Sequence, residues 1–351
     1  MIDPLRPVGA RERRRGDAVP SIRDVAAAAG VSYQTVSRVL NDSPRVRPET
    51  RQQVLAVMER MGYRPNRAAR ALGLGRARAV TVVTSNTTLY GYASTLQGVE
   101  EWAREHGLAV GVRVIESVDE RDVKQTVEYV SDPTAGGVVV VAFDAAGVEV
   151  LRRLPADVPA VAAIEPGALP DTDRTMICLD ERPAAADATR HLLALGHRTV
   201  HHVAIPSESV TRGREAGWRQ ALTEAGVTIP DVVPAGWDAP SAYAAGRRLA
   251  AEPSVTAILC GNDDTALAVR RALYDAGRHV PGDVSIVGFD DVPGAAYWTP
   301  ALTTVRMDFD ELGRVCTAAL IAELDDTPPP SLALTPPQFV VRESTAPPSR
   351  G

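Results

Sequence analysis

The chain has 351 residues and a formal net charge of −6, a length that exceeds one compact core and fits a small domain joined to a larger one. The charge is uneven, because residues 1–78 hold 16 Arg against 7 Asp and Glu and so carry +9, which leaves −15 for the rest. A basic first part on an acidic body is typical of a protein that meets phosphate at one end, and no apolar run is long enough to span a membrane.

The N-terminal segment and the cysteines both indicate a cytoplasmic protein. Residues 1–20 combine proline with charge and lack the apolar core of a secretory signal, so we expect a disordered arm. Its RERRR run either contacts DNA phosphate or stays a solvated tail. Cys178, Cys260 and Cys316 lie far apart without a CxxC pair, which favours reduced, buried thiols over a zinc site or a disulfide framework.

Residues 21–41 predict two short helices joined by a glycine turn. Ser21 and Asp24 have the spacing of a capping box, and Gly30 supplies the turn. In the second helix, VSYQTVSRVLN, the inward residues at i, i+3 and i+4 are Val36, Val39 and Leu40, and the outward ones are Tyr33, Gln34, Ser37 and Arg38. The pattern predicts a helix-turn-helix whose second helix can reach nucleic acid, although an ordinary pair of surface helices has the same pattern.

A third helix is predicted from Pro48 to Met61, where Gly62 stops it. Its buried stripe consists of Val54, Val57, Met58 and Met61. The following NRAARALGLGR has too little apolar surface to form a stable helix alone.

From Val80 onward, short apolar runs alternate with amphipathic segments, including helices at about 92–106 and 120–131. The first series of strands is AVTVVTS, LAVGVRVI, GGVVVVAF and PAVAAIE, and the second is TMICLD, TVHHVAI, TAILCG and DVSIVGF. Apolar runs separated by helices are typical of parallel strands buried on both faces. We therefore predict two doubly wound parallel-sheet subdomains, with a cleft at the carboxyl ends of their strands.

Polar side chains follow several of these strands and can line such a cleft. Asn262 follows TAILCG, Asp290 follows SIVGF, and Arg214 begins a helix. Such groups suit vicinal hydroxyls, and the indole of Trp237 suits the C–H face of a pyranose, so the combination predicts a sugar. Each also has an ordinary structural explanation, a helix cap for Asn262 and Asp290 and a half-buried surface aromatic for Trp237.

Several motifs in order carry a resemblance to one family. IRDVAAAAGVSYQTVSRVLN followed by TRQQVLAVMERMGYRPNRAARAL resembles the DNA-binding headpiece and hinge of the lactose-repressor (LacI/GalR) family. ALGHRTVHHVA, CGNDDTAL, DVSIVGFDD and PALTTVRMDF resemble successive blocks of its effector domain. The resemblance covers about residues 21–345. It implies a small all-α helix-turn-helix headpiece plus an α/β effector domain similar to periplasmic binding proteins.

By resemblance, the chain divides into a disordered arm (1–20), a helix-turn-helix domain (21–64), a hinge helix and linker (65–78), a sugar-binding effector and dimerisation domain (79–345) and a tail (346–351). Within the effector domain, the N-subdomain takes about 79–179 and 308–328, and the C-subdomain about 180–305 and 329–345.

The family pattern also implies which residues contact operator DNA. The full set is Ser32, Tyr33, Gln34, Ser37, Arg38, Asn41 and Arg47 in the headpiece, and Asn66, Arg67, Ala69 and Leu72 in the hinge. Tyr33, Gln34 and Arg38 are expected to read bases. Leu72 is expected to enter the minor groove from a hinge helix that forms on DNA, with a plain linker as the alternative. Where Arg47 stands, the family more often has a small capping residue, so either the helix start is weaker or Arg47 meets a phosphate.

For the effector, the resemblance implies that Arg214, Asn262 and Asp290 are ligand contacts, and Trp237 matches the position that stacks on the sugar in galactoside-responsive members. Strand ends add contacts from the first subdomain, and Phe309 is expected to close the floor of the cleft. The full predicted set is Ser85, Asn86, Glu165, Arg214, Trp237, Asn262, Asp290 and Phe309.

Together, these expectations predict a homodimeric repressor of a carbohydrate-use operon. A sugar, which the resemblance implies to be of galactoside type, would release it from operator DNA. A C-terminal leucine heptad that would join two dimers is lacking. No GxSxG, HExxH or nucleotide-binding glycine motif is present, so we expect neither an enzyme nor a bound cofactor or metal. Two alternatives stay open: a stand-alone sugar-binding protein without a role on DNA, and a regulator whose ligand is a nucleobase corepressor.

Overall fold

The structure is a computed structural model, and it describes residues 20–40, 43, 45–63, 79–167, 173–207, 213–328 and 333–349. The chain divides into two compact units, the first ending at Gly75 and the second beginning at Arg76. The predicted hinge, the arm up to residue 19, and the predicted DNA contacts Asn41, Asn66, Arg67, Ala69 and Leu72 lie outside the described residues.

Three helices form the described part of the first unit: α1 (Ile22–Ala28), α2 (Tyr33–Leu40) and α3 (Pro48–Arg60). The predicted capping box begins α1, since Asp24 N donates to Ser21 Oγ at 3.3 Å and Ser21 N donates to Asp24 Oδ2 at 2.7 Å. Gly30 turns the chain toward α2 at φ = 62°, a left-handed conformation that suits glycine. The capping box therefore fixes the start of α1, and Gly30 fixes the turn between α1 and α2.

The apolar core of this unit is small. Val25, Val36 and Val54, one from each helix, are completely buried. Gln53 Nε2 donates to Ala29 O at 3.0 Å and so ties α3 to the end of α1. Leu40, predicted as core, is only partly buried. Because a domain of this size has little apolar surface to bury, each of the three valines matters for its stability.

The second unit contains two α/β lobes. The first lobe has a parallel sheet in the order β2-β1-β3-β4-β5. Its strands are β1 (Ala79–Thr84), β2 (Ala109–Val114), β3 (Gly137–Ala142), β4 (Ala160–Ile164) and β5 (Met176–Ile177). Its helices include α4 (Tyr90–Glu105), α5 (Glu120–Val130) and α6 (Ala145–Arg153), with a 3-10 turn at Pro133–Ala135.

The second lobe has a parallel sheet in the order β7-β6-β8-β9. In chain order its elements are α7 (Arg182–Ala194), β6 (His201–Ala204), α8 (Gly213–Glu224), β7 (Val233–Pro234), α9 (Ala239–Ala250), β8 (Ala257–Cys260), α10 (Asp263–Asp275), β9 (Ser285–Val287) and a 3-10 turn at Ala295–Tyr297. An antiparallel pair, β10 (Thr304–Arg306) and β11 (Gln338–Val340), completes the lobe. Between these two strands, α11 (Phe309–Leu324) returns to pack on the first lobe.

One strand differs from the sequence prediction. TMICLD was predicted in the second series of strands, but Met176 and Ile177 pair with Ala162 and Ala163 and so extend the first sheet, on the side of the predicted subdomain boundary near residue 179 where they lie. A two-residue strand has too little periodicity to show which sheet it joins. The strands β7, β10 and β11, also two or three residues long, were not predicted for the same reason.

The strand orders place the cleft. In each sheet the first strand has its neighbours on opposite sides, so the switch points lie between β1 and β3 and between β6 and β8. An apolar cluster that includes Val80, Trp218 and Val305 is continuous through both lobes. The carboxyl ends of both sheets therefore border a common space above a shared core. No helix in the described parts of the chain is long and apolar enough to cross a membrane.

Two glycines let α11 approach α4 backbone to backbone. A Cβ on Gly98 would lie 2.8 Å from the carbonyl carbon of Asp310, and a Cβ on Gly313 would lie 2.9 Å from Val99 N. Real Cβ atoms do not reach such distances, so only glycine fits both positions. The close packing holds the start of α11, where Phe309 lies, against the first lobe.

Candidate functional site

The outer face of α2 presents the predicted DNA contacts. Ser32 caps the helix, since Thr35 N donates to Ser32 Oγ at 3.2 Å. Tyr33 is 53 % exposed, Gln34 and Arg38 are also exposed, and Ser37 is half-buried. Val36 and Val39 face the core instead. The helix therefore holds its polar side chains on the surface of a packed element.

Arg47 does not cap α3 with its side chain. It is exposed and occupies the position before Pro48, whose fixed φ suits the first residue of a helix. The helix thus starts without the small capping residue that the family resemblance leads one to expect, and the guanidinium of Arg47 stays at the surface.

In the second unit, a cleft with about 570 Å³ of empty space lies at the carboxyl ends of strands from both lobes. Six predicted effector residues line it: Glu165, Arg214, Trp237, Asn262, Asp290 and Phe309. A concave site that combines apolar rings with a few polar groups is typical of small-molecule sites. The carboxyl ends of the parallel strands therefore bring six of the eight predicted effector residues to one cleft.

Arg214 is the central cation of the cleft. Its Nε donates to Glu181 Oε2 at 2.8 Å, its Nη1 donates to Gly261 O, and its Nη2 lies 3.5 Å from Asp290 Oδ1. Its guanidinium carbon lies 4.5 Å from the centroid of the Phe289 ring. Burial alone would lower the pKa of Arg214, but the two carboxylates raise it above its usual value, so the side chain stays charged.

Asp290 has the least satisfied polar group in the cleft. Its Oδ1 is buried and has no hydrogen-bond partner among the described residues, apart from the longer ionic contact with Arg214. Burial raises the pKa of Asp290 well above its usual value. The residue also adopts φ = 103°, a strained conformation for a residue with a side chain. A buried acceptor without a partner costs about 1–3 kcal/mol, which a hydroxyl from a ligand can recover.

Asn262 serves two purposes. Its Oδ1 accepts from Thr265 N at 2.8 Å and so caps α10, and the same residue lines the cleft. The capping role and the predicted ligand contact therefore do not exclude each other, because the carboxamide still has two N–H donors.

The next residue, Asp263, anchors the loop that carries Asp290. Its Oδ2 accepts from Val292 N at 2.8 Å, and its Oδ1 accepts from Thr304 Oγ1 at 2.6 Å. Asp263 is completely buried, and burial is the main cause that raises its pKa to about 7. Because this value lies above the 3.8 of an exposed Asp, the folded state holds the proton more tightly than the unfolded state does.

Asp263→Asn is expected to flatten the pH dependence of stability. In the wild type, the free energy of unfolding should fall as the pH rises from about 4 to about 7, by at most about 4 kcal/mol at 1.36 kcal/mol per pKa unit. An Asn can still accept from Val292 N and donate to Thr304 Oγ1, but it does not titrate. Urea unfolding followed by tryptophan fluorescence measures the change, since all four tryptophans lie in the second unit.

Asp264→Asn is the matched control for this experiment, because Asp264 is the exposed neighbour of Asp263. The control should keep the wild-type slope between pH 4 and pH 7. If Asp263→Asn kept that slope too, Asp263 would not be the group that titrates.

Aromatic side chains form the floor of the cleft. Phe309, 7 % exposed, meets Tyr90 edge to face at a centroid distance of 6.2 Å and Phe143 at 5.9 Å. Tyr92 meets Phe143 at 5.2 Å, also edge to face. Trp237 is half-buried in the opposite lobe, on the wall of the cleft. The cleft therefore combines apolar ring surfaces with a few polar groups.

Glu165 connects the two lobes. It follows β4 in the first lobe and accepts from Ser207 Oγ at 2.6 Å, and Ser207 follows β6 in the second lobe. This hydrogen bond crosses from one lobe to the other beside the cleft.

Two predicted effector residues do not reach the cleft wall. Ser85 donates through its hydroxyl to Asp144, the cap of α6. Asn86 Oδ1 turns back into its own loop, where it accepts from Thr88 N and Leu89 N, each at 2.8 Å. Ser85 and Asn86 are thus not among the lining residues of the cleft, and the expectation that they are direct ligand contacts stays a prediction.

Several residues of the cleft were not predicted. The most important is Glu181, which pairs with Arg214. A signal was present, because Glu181 follows the strand segment TMICLD just as Asn262 follows TAILCG. Tyr90 and Phe143 offered no comparable signal, since aromatic residues at such positions are equally common in an ordinary core.

The histidines behave as structural residues. His197 forms hydrogen bonds to Thr256 Oγ1 at 2.9 Å and Ser285 Oγ at 3.1 Å. Burial lowers the pKa of His202 to about 4, and its Nδ1 lies 3.0 Å from Leu259 O. Within the described residues, no group of three or more His, Cys, Asp or Glu side chains is placed to hold a metal ion.

Family models match both units of the chain. The model described as bacterial regulatory proteins, lacI family, matches residues 21–66. The model described as periplasmic binding protein-like domain matches residues 189–345. Together they confirm the predicted fold class of a helix-turn-helix headpiece followed by a periplasmic-binding-protein-like domain.

Full-length relatives extend the match. The lactose operon repressor of Klebsiella pneumoniae is 31% identical over 330 residues, which are 93% of this chain and 92% of that protein. The structure of the lac repressor dimer bound to operator and the anti-inducer ONPF has a TM-score of 0.82 at 29% identity, covering 94% of this chain and 100% of that one. The complex of the transcriptional regulator CelR with cellobiose has a TM-score of 0.68 at 30% identity, covering 93% and 99%.

These relatives are regulators of transcription and not enzymes, and they match almost the whole chain. The motifs, the fold and the relatives lead to the same assignment. The chain belongs to the lacI family of bacterial regulatory proteins.

Proposed function

We propose that the protein is a homodimeric repressor that holds an operator through α2 and leaves it when a sugar fills the cleft. One observation carries the ligand part of the proposal. Asp290, whose buried Oδ1 has no hydrogen-bond partner among the described residues, lines the cleft together with the charged Arg214 and the half-buried indole of Trp237. A polyol supplies the missing donors, and its C–H face suits the ring of Trp237.

The DNA part rests on the surface of α2. Gln34 carries a carboxamide that can pair with adenine, and Arg38 carries a guanidinium that can pair with guanine in the major groove. Tyr33 and the cap residue Ser32 lie at the start of the helix, where recognition helices approach the bases. We therefore assign base reading to Tyr33, Gln34 and Arg38, and phosphate contact to the exposed Arg47.

The relatives support a glycoside as the ligand class. One related structure contains a repressor with the anti-inducer ONPF, and another contains a regulator with cellobiose. The cleft of this chain has apolar rings beside polar groups, as sugar sites do. The combination favours a ring that has an apolar face and several hydroxyls.

Exposed apolar side chains support the dimer. Leu267 is 43 % exposed and Tyr274 is 71 % exposed, and both lie on one face of α10 at a spacing of seven residues. Tyr297 is 86 % exposed, and Val112 on the edge strand β2 is 46 % exposed. Large apolar side chains that adjoin one another on a surface, as Leu267 and Tyr274 do on α10, are typical of subunit contacts. The related lac repressor is described as a dimer on its operator.

Release from DNA requires that sugar bind one arrangement of the lobes more tightly than the other. A typical coupling of about 1–3 kcal/mol changes operator affinity roughly 5- to 150-fold. By reciprocity, operator DNA must lower the affinity for the sugar by the same factor. The hydrogen bond between Ser207 and Glu165 crosses between the lobes and would respond to such a change.

The experiment begins with in vitro selection of duplexes by the full-length protein, which is expected to yield a near-palindromic site. Operator affinity is then measured by fluorescence anisotropy with and without a panel of mono- and disaccharides, chosen by the thermal stabilisation that each gives. One sugar should stabilise the protein and weaken operator binding at least about fivefold.

Each alternative has its own outcome. If no duplex were enriched but a sugar stabilised the protein, it would be a sugar-binding protein without a role on DNA. If sugars had no effect and a purine base strengthened operator binding, the ligand would be a corepressor. The first outcome would reject the repressor role, and the second would reject the sugar as its effector.

A further inference from the structure

The guanidinium of Arg214 is already occupied by the protein itself. Nε is bound by Glu181 at 2.8 Å, Nη1 by the carbonyl of Gly261, and Nη2 faces Asp290 at 3.5 Å. One face of the guanidinium also stacks over Phe289. An anionic ligand normally binds arginine through two parallel N–H donors. To do so here through Nη1 and Nη2, it would have to replace the carbonyl of Gly261 at Nη1 and lie beside the carboxylate of Asp290 at Nη2.

Glu181 is built into this position. It is 8 % exposed, and a Cβ on Gly213 would lie 2.9 Å from Glu181 Cγ and 3.0 Å from Oε1, so the glycine makes room for the carboxylate. Arg214 lies in the first turn of α8, where the helix dipole disfavours a cation. A carboxylate at 2.8 Å offsets that cost. Gly213 therefore leaves the space in which the carboxylate of Glu181 pairs with Arg214.

Arg214, Glu181 and Asp290 together carry a net negative charge when both carboxylates are ionised. Their net charge is zero when Asp290 carries a proton. In neither state does a net positive charge face the ligand. An anion entering the cleft meets like charges at short range and gains no free cation among the described lining residues.

We propose that Glu181 is a specificity-determining residue that makes the cleft reject anionic ligands, so that the effector is a neutral sugar and not a uronate, an aldonate or a sugar phosphate. The inference rests on the proposed function of the cleft as a sugar site. Glu181 acts on the ligand by occupying Arg214 and by its own charge. A neutral hydroxyl can still bind Asp290 Oδ1, because it brings a donor and no charge.

The test uses matched sugar pairs that differ by oxidation of one C6 to a carboxylate and keep every ring closed: glucose and glucuronate, galactose and galacturonate, cellobiose and cellobiouronate. Binding of each to the full-length protein is measured by isothermal titration calorimetry. For the pair whose neutral member binds, we expect the acid to bind at least about tenfold more weakly to the wild type.

Glu181→Gln should reduce that discrimination about tenfold, because Gln keeps the size of the side chain and removes its charge. Glu181→Asp keeps the charge and should keep the discrimination. Glu224→Gln is the matched control, because it makes the same charge change on an exposed residue that pairs with Arg190. Glu224 lies at the end of α8 opposite to Arg214, about 15 Å along the helix axis. It should leave both affinities unchanged.

Equal or tighter binding of the acid by the wild type would overturn the inference, and so would an unchanged ratio in Glu181→Gln. Both results would leave a sugar effector in place. Failure of every neutral sugar to bind would instead reject the proposed function on which the inference rests.

Discussion

Replacing Arg214 by Ala is expected to abolish the response of operator binding to sugar, while operator binding itself persists. The change removes the guanidinium between Glu181 and Asp290, and leaving buried charges unpaired costs about 3–5 kcal/mol. The tryptophans report the lower stability of the second unit, and fluorescence anisotropy with labelled operator reports the response to sugar. The first unit has its own core, so it should still bind DNA.

The matched control is Arg190→Ala, which removes an arginine from an exposed ion pair with Glu224 at 2.8 Å. Such pairs contribute at most about 1 kcal/mol, so its sugar response should be normal. Arg214→Lys keeps the charge without the planar fork and provides a second variant if Arg214→Ala does not fold. A normal induction curve for either Arg214 variant would show that the ligand site has been misplaced.

Val36→Asp is expected to abolish specific operator binding and leave sugar binding intact. Val36 is completely buried at the centre of the first unit, and an unpaired carboxylate there costs several kcal/mol. A domain this small has only a few kcal/mol of stability to lose, so the three helices should unfold. Operator affinity should drop to the non-specific level, a loss of about 1,000-fold or more.

Gln52→Asp introduces the same charge on the exposed side of α3 and serves as the control. Its specific binding should survive with a small loss. Calorimetric titration of Val36→Asp with sugar should give the wild-type affinity, because the second unit has a separate core. Specific DNA binding by Val36→Asp would contradict the role of α2 as the packed recognition helix.

The buried parallel strands could be predicted from the sequence because their composition is uniform. Val138 to Val141 of β3 are completely buried. A short run of only apolar residues is typical of a parallel strand that is covered by helices on both faces. A strand of two or three residues has no such uniform apolar run. Met176 and Ile177 were placed in the wrong sheet because pairing, and not composition, decides which sheet a two-residue strand joins.

The candidate site shows the same limit at the level of side chains. Asn262 and Asp290 could be placed at the cleft because a parallel sheet brings strand ends to one edge. Asn86 also follows a strand, but its carboxamide folds back to bind Thr88 N and Leu89 N. The direction of a side chain after a strand depends on the backbone of the loop. Glu181 was missed because its partner, Arg214, is 33 residues away in the sequence.

The turn at Asp290 and Asp291 links the ligand site to the strand that leads back to the first lobe. Asp290 N donates to Val305 O at 2.8 Å, and Asp291 is bound by Arg306 at 2.8 Å and by Arg342 at 2.6 Å. We therefore expect a ligand that shifts this turn to move β10 as well, through the backbone hydrogen bond and the two ion pairs of Asp291. Substitutions of Arg306 or Arg342 should loosen the mechanical connection, so that a sugar still occupies the cleft but no longer moves the lobes.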